Sequence, residues 1–186
     1  MKSGTAAILA ILAATGCSAY AQNNVIVGPG FQPNQRSSHR LTYQIPTGWA
    51  ADPAAAAQLG LDSVLLPVGT TLDSAKAVIT VAFQRKDPQS AGLADLQAFV
   101  RVDLQNMLTA APSMEAARWQ PKGLDPDKVP FMSFEFYGPT GSKVSPQHVV
   151  YLDAGDGYFS VSLTVEKRDT LASQEYETFF SSLALQ

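Results

Sequence analysis

Residues 147–167 of this 186-residue chain, QHVVYLDAGDGYFSVSLTVEK, contain its strongest indication of tertiary structure. Two runs rich in β-branched and aromatic residues flank AGDG (154–157), whose glycines and aspartate suit a hairpin turn. In the second run Phe, Val and Leu alternate with Ser, Thr and Glu, which is the period-two pattern of a strand with one buried face. The stretch therefore predicts an antiparallel hairpin with strands at 147–153 and 158–167.

Four earlier segments also have the composition of strands. RLTYQIP (40–46) and FMSFEFYG (131–138) alternate apolar with polar residues, so each predicts a half-buried strand. SVLLPV (63–68) predicts a short strand. AVITVAF (77–83) is apolar at both parities, which is typical of a central strand that is covered on both faces.

Three segments predict helices. Asp52 and Pro53 form an N-cap followed by proline at the first helical position, and Gly60 ends the short Ala-rich helix that they begin. Apolar residues recur every three or four positions over 92–109, which predicts an amphipathic helix, and a final helix is predicted at about 170–184. Half-exposed antiparallel strands, one buried central strand and these helices predict an α+β fold with a mainly antiparallel sheet flanked by helices.

The order of these elements, together with YQIPTGW (43–49) and YETFFSSL (176–183), resembles the PsbP/Mog-type α/β/α sandwich family. The likeness covers residues 40–185. The family includes the photosystem extrinsic P subunit, a Ran-binding protein and small exported bacterial proteins of unknown role. It implies an α/β/α sandwich and a binding or accessory role, since its members share no set of catalytic residues.

The N-terminus has the three parts of a secretory signal peptide: Lys2, an apolar run over 4–14, and the small-x-small sequence Ala19-Tyr20-Ala21. The apolar run is shorter than the roughly 20 residues needed to span a bilayer. Residues 1–21 are therefore predicted to be a signal peptide. Ala14-Thr15-Gly16-Cys17 resembles a lipobox, so a lipid anchor at Cys17, the single cysteine, is the alternative.

The length and charge of the remaining chain indicate a single domain and argue against two classes of partner. Residues 22–39 are rich in Gly, Pro and polar amides and predict a flexible leader, and 40–186 are long enough to fold as one domain. The net charge of −3 argues against nucleic acid as a partner, since phosphate binding needs a basic patch. No basic run is present to bind an anionic membrane surface.

Two acidic segments are candidates for metal sites, but we interpret both as ordinary turns. Asp153 and Asp156 lie three residues apart, and no glutamate follows at calcium-loop spacing. Asp125 and Asp127 flank a proline, as in an ordinary turn. The glycines of GPG (28–30) do not follow a predicted strand, unlike those of a phosphate loop. The sequence therefore predicts no metal and no cofactor.

His148 is the one histidine inside the predicted domain, and no GxSxG motif accompanies it. It shares a strand face with Val150 and Leu152, as expected of a structural histidine. The main hypothesis is therefore a non-catalytic protein of the bacterial cell envelope that recognises another protein. The alternative is a small periplasmic hydrolase that uses His148 with Asp153 and a serine such as Ser160.

Four aromatic residues are the candidates for contact with a protein partner: Trp49, Trp119, Tyr158 and Phe31. Trp49 follows the predicted turn at 46–48, and aromatic residues on turns are common anchors of interfaces. The alternative is that both tryptophans close the ends of the hydrophobic core. No catalytic residue is assigned.

The N-terminal pattern makes a prediction about processing. In the native bacterium, we expect cleavage after Ala21 and a mature protein without cysteine. Intact-mass spectrometry of protein purified from that host tests this. A mature chain that begins with an acylated Cys17 would contradict it.

Overall fold

A hairpin at the centre of the main sheet organises the molecule. It joins β9 (Gln147–Asp153) to β10 (Gly157–Val165), with Gly155 at φ 82° in the turn. Each residue of β10 from Tyr158 to Thr164 pairs with β9, and all nine residues of β10 pair with β6 (Ala77–Arg85) on the other side. The predicted hairpin is therefore present, and it lies between further strands.

The computed structural model describes residues 20–22, 25–27, 40–86, 95–140, 142 and 144–186. The remaining strands are β1 (Tyr20–Gln22), β2 (Val25–Val27), β3 (Arg40–Thr42), β4 (Trp49–Ala51), β5 (Ser63–Pro67), β7 (Glu115–Arg118), β8 (Phe131–Tyr137) and β11 (Ala184–Leu185). The helices are α1 (Pro53–Leu59), α2 (Leu96–Ala110), a short 3₁₀ helix (Arg168–Ala172) and α3 (Gln174–Ser181). Over the described ranges, no helix combines the length and apolar character needed to cross a bilayer.

The main sheet has seven strands in the order β4-β5-β6-β10-β9-β8-β7, and every neighbouring pair is antiparallel. A smaller sheet has the order β1-β2-β3-β11. Helices cover the main sheet, so the predicted α+β class with a mainly antiparallel sheet flanked by helices is confirmed.

Both faces of the main sheet are covered. On one face, which we call the α3 face, Phe179 and Phe180 of α3 and Leu171 of the 3₁₀ helix pack on the sheet. On the other, the α2 face, Phe99 and Met107 of α2 pack on it, and α1 adds a smaller apolar cluster. The layers therefore form the α/β/α arrangement that the family resemblance implied.

This covering corrects the prediction that the closing strands are half-exposed. In β10 only Ser160 is partly exposed, and in β9 only Asp153. Of the alternating polar residues of β10, Ser162 and Thr164 are buried, and Ser162 shares a hydrogen bond of 2.7 Å with Thr80 of β6. Period-two alternation identified the two faces correctly but not whether the second face is solvated.

The predicted helices are present with changed bounds. Asp52 caps α1 through a 2.9 Å bond from the Ala55 amide, and Gly60 ends it at φ 66°, as predicted. In the described part of the predicted 92–109 helix, α2 begins after its cap Asp95. The C-terminal helix predicted at 170–184 is shorter: 168–172 are 3₁₀, α3 covers Gln174–Ser181, and β11 then pairs with β3.

The predicted signal peptide lies almost entirely outside the described residues. Of the predicted leader, Gln22 and Val25–Val27 are in strands, and β2 pairs with β3. Cleavage after Ala21 would cut inside β1. Both boundaries remain predictions.

Candidate functional site

The candidate site is a cleft of about 570 Å³ on the α3 face, beside the edge of the sheet. Its polar and aromatic lining comprises Trp119, Glu135, His148, Arg168, Asp169 and Glu177. Leu171 and Ala172 of the 3₁₀ helix form the opposing wall. The cleft therefore lies between the edge strands and the 3₁₀–α3 layer that covers the middle of the sheet.

The register of the sheet places residues of the cleft floor side by side. Ala117 of β7 pairs with Glu135 of β8, and Glu135 pairs with His148 of β9. Paired residues in adjacent strands point to the same face, so these three form one row across the sheet. Trp119 follows two residues after Ala117, which places it on that face too.

His148 is held as a buried, neutral imidazole. Its side chain is 6% exposed and its ring stacks on the Trp119 indole, with centroids 3.8 Å apart and planes 18° from parallel. Burial lowers the pKa of His148 to about 4, although the neighbouring Glu135 acts in the opposite direction. Nε2 lies 3.8 Å from Glu135 Oε2, and among the described residues Nδ1 has no hydrogen-bond partner.

Two ion pairs hold carboxylates of the cleft. Arg168 donates through Nε to Glu135, and its guanidinium lies 3.6 Å from the ring centroid of Tyr137. Lys122 Nζ lies 2.8 Å from Glu177 Oε1. Asp169 is exposed and pairs with no cation in the described part of the chain. The lining thus carries three carboxylates and one guanidinium around a neutral histidine.

The residues of the alternative hydrolase are not brought together. His148 is on the α3 face, whereas Ser160 pairs with Tyr151 and therefore points to the α2 face. Asp153, five positions from His148 along β9, also has the opposite parity and forms a 2.8 Å ion pair with Lys86. Among the described residues, those that line the cleft include no Ser, Thr or Cys that His148 could activate.

Three of the four aromatic residues predicted to bind a partner lie in the described part of the chain, and their surroundings differ. Trp119 is partly exposed and lines the cleft. Trp49 is also partly exposed, but its ring packs edge-on against Tyr176 at 5.9 Å. Tyr158 is fully buried under α2, stacked on Phe99 at 4.7 Å, so in this structure it is not at the surface. Phe31 lies outside the described residues.

The acidic turns considered as metal sites are hydrogen-bonded turns. Asp153 accepts from the Gly155 amide at 2.8 Å, and Asp125 accepts from the Asp127 amide at 3.0 Å. Within the described ranges, no three His, Cys, Asp or Glu residues are grouped so that they could hold a metal ion.

Asp62 is a buried carboxyl group with a strongly raised pKa, and it lies away from the cleft. Burial raises its pKa to about 8, and it accepts a hydrogen bond from the Phe83 amide. This bond continues the contact between β5 and β6, beside the 2.9 Å bond from the Asp62 amide to the Val81 carbonyl. We therefore assign Asp62 a structural role.

Comparison with known proteins identifies the fold. No family model and no curated protein matches the chain. Among solved structures, cyanobacterial PsbP (CyanoP) from Synechocystis sp. PCC 6803 has a TM-score of 0.54 and 13% identity, covering 93% of this chain and 99% of that one. A protein of Bacteroides thetaiotaomicron VPI-5482 has a TM-score of 0.45 and 14% identity, covering 89% of this chain and 49% of that one. The similarity to CyanoP shows that the fold is PsbP-like.

The environment of His148 predicts a pH dependence of stability that His148→Gln removes. Between about pH 6.5 and pH 4 the unfolded chain binds a proton at this position that the folded protein excludes, so stability falls as pH falls. The loss between pH 7 and pH 5 is expected to be about 2 kcal/mol. Urea unfolding of both proteins at the two pH values measures it.

All other titratable groups are common to the two proteins, so the difference between them isolates His148. Equal losses of stability in wild type and variant would contradict the buried, neutral state.

Proposed function

We propose that this protein is an exported, non-catalytic accessory protein of the bacterial cell envelope that binds another protein at the cleft. The observation that carries the proposal is the Trp119–His148 stack, a partly exposed indole on a buried imidazole in an open cleft. Aromatic side chains held rigidly in this way are typical anchors of protein interfaces. Export is supported by the predicted signal peptide.

The arrangement of the cleft favours binding over catalysis. His148 is buried, and its lowered pKa keeps it neutral well below neutral pH. A general base works best with a pKa near the operating pH and with access to the proton it removes. The Glu135 carboxylate is already occupied by Arg168. His148 and Glu135 are therefore both held by their neighbours, and neither is well placed to act as a general base.

The edge of the sheet extends the surface of the cleft. β7 is the last strand of the seven, so its outer edge pairs with no described strand. Its residues Glu115, Ala116 and Arg118 are exposed. Trp119 follows β7 directly, so a partner that contacts the cleft also reaches unpaired backbone groups. The PsbP-like fold supports the proposal by resemblance, since the known members are mostly binding or accessory proteins.

The Trp119→Leu variant tests this function, with Trp49→Leu as its matched control. We expect affinity capture from the native host, after chemical crosslinking, to recover a partner with wild type and with Trp49→Leu, and to lose it with Trp119→Leu. Ala117→Arg should also lose it, because it obstructs the row beside Glu135 while leaving the stack in place. Circular dichroism verifies that each variant is folded.

Capture that survives both cleft substitutions would contradict the proposal. So would turnover of ester or glycoside substrates that His148→Gln abolishes, because it would make the protein a hydrolase.

A further inference from the structure

The cleft carries an excess of negative charge. Glu135, Asp169 and Glu177 line it, against the single guanidinium of Arg168. His148 adds no charge at neutral pH, because burial lowers its pKa to about 4. A group that enters the cleft therefore gains from positive charge.

The chain's own cations show how such a group is accommodated. Arg168 combines an ion pair to Glu135 with the ring of Tyr137, 3.6 Å away. At the rim, Lys122 Nζ contacts both oxygens of Glu177, at 2.8 and 3.0 Å. The Lys122 side chain is 79% exposed, so a competing cation can replace it at little cost.

His148 lines the same cleft and has a ring nitrogen without a hydrogen-bond partner among the described residues. Glu135 beside Nε2 favours the tautomer with its proton on Nε2, which leaves Nδ1 as an acceptor. Nδ1 is buried and has no partner among the described residues, a condition that costs free energy. An N–H donor is the group that this acceptor lacks.

The free outer edge of β7 gives an N–H donor on a partner's side chain a route into the cleft. A strand added outside β7 would lie about 4.8 Å from it, with one residue opposite Ala117 in the row that continues to Glu135 and His148. The Ala117 methyl group is small, so a long side chain at that position can extend over it towards Trp119. Addition of a strand to a free edge is a common way of binding extended peptides.

We propose that an extended segment of the partner pairs with the outer edge of β7 and places a lysine or arginine side chain in the cleft, against Trp119 and the carboxylates of Asp169 and Glu177. This inference rests on the proposed function and names the chemistry of its partner. The aromatic ring supplies a cation–π contact and the carboxylates supply ion pairs.

Peptide binding to the Trp49→Phe variant tests the inference, because Trp119 is then the sole tryptophan. The probes are acetyl-TVXVT-amide peptides with X as lysine, arginine, norleucine or glutamate. We expect Trp119 fluorescence to report binding of the lysine and arginine peptides about tenfold tighter than norleucine, with glutamate weakest. Added salt should weaken the lysine peptide and leave norleucine unchanged.

Side-chain substitutions test the ion pairs of the contact, and backbone methylation tests its hydrogen bonds to β7. The double substitution Asp169→Asn with Glu177→Gln should reduce lysine-peptide affinity about fivefold. Glu175→Gln, which is on α3 like Glu177 but outside the cleft, should leave the affinity unchanged. N-methylation of alternate peptide residues should abolish binding at one parity only, because only one set of amides faces β7.

Equal affinity of the lysine and norleucine peptides would overturn the inference, as would loss of binding at both methylation parities or at neither. Concentration-dependent self-association through β7 that excludes the peptides would also overturn it. If these outcomes occur while partner capture still depends on Trp119, the proposed function stands and only the cationic partner is wrong.

Discussion

The pairing of β10 on both of its edges is the constraint on which the rest of this fold depends. All nine of its residues pair with β6, and seven pair with β9. Gly157, its first residue, has no space for a side chain, because a Cβ there would overlap the Phe83 ring of β6. Phe159, Val161, Leu163 and Val165 of β10 point to the α3 face, so that face must be covered, since these residues otherwise remain in water.

The cleft exists because that cover is incomplete towards the edge of the sheet. α3 and the 3₁₀ helix pack over the middle of the α3 face, and towards the edge the Trp119 indole stacks on His148, with Phe180 of α3 edge-on to both rings. The Trp119 indole, which follows the end of β7, thus supplies part of the cover over His148. The buried imidazole of His148 therefore lies close to the free outer edge of β7, and binding there can perturb both.

The local elements were predictable because their signals are local. The cap at Asp52, the stop at Gly60 and the turn at 154–157 each follow from neighbouring residues. The burial of Tyr158 was not predictable, because alternation cannot show whether α2 covers the second face of a strand. The cleft was missed for a similar reason: Glu135 and Arg168 are 33 residues apart, and only sheet register and the 3₁₀ helix bring them together.

Amide hydrogen exchange of the full chain, with and without saturating lysine-centred peptide, tests whether the outer edge of β7 and the cleft bind one segment together. We expect slower exchange at 115–119, on the outer edge of β7, and at 168–177, which form the far side of the cleft, with residues 43–51 unchanged. Slower exchange confined to 43–51 or to α2, with β7 unaffected, would contradict it.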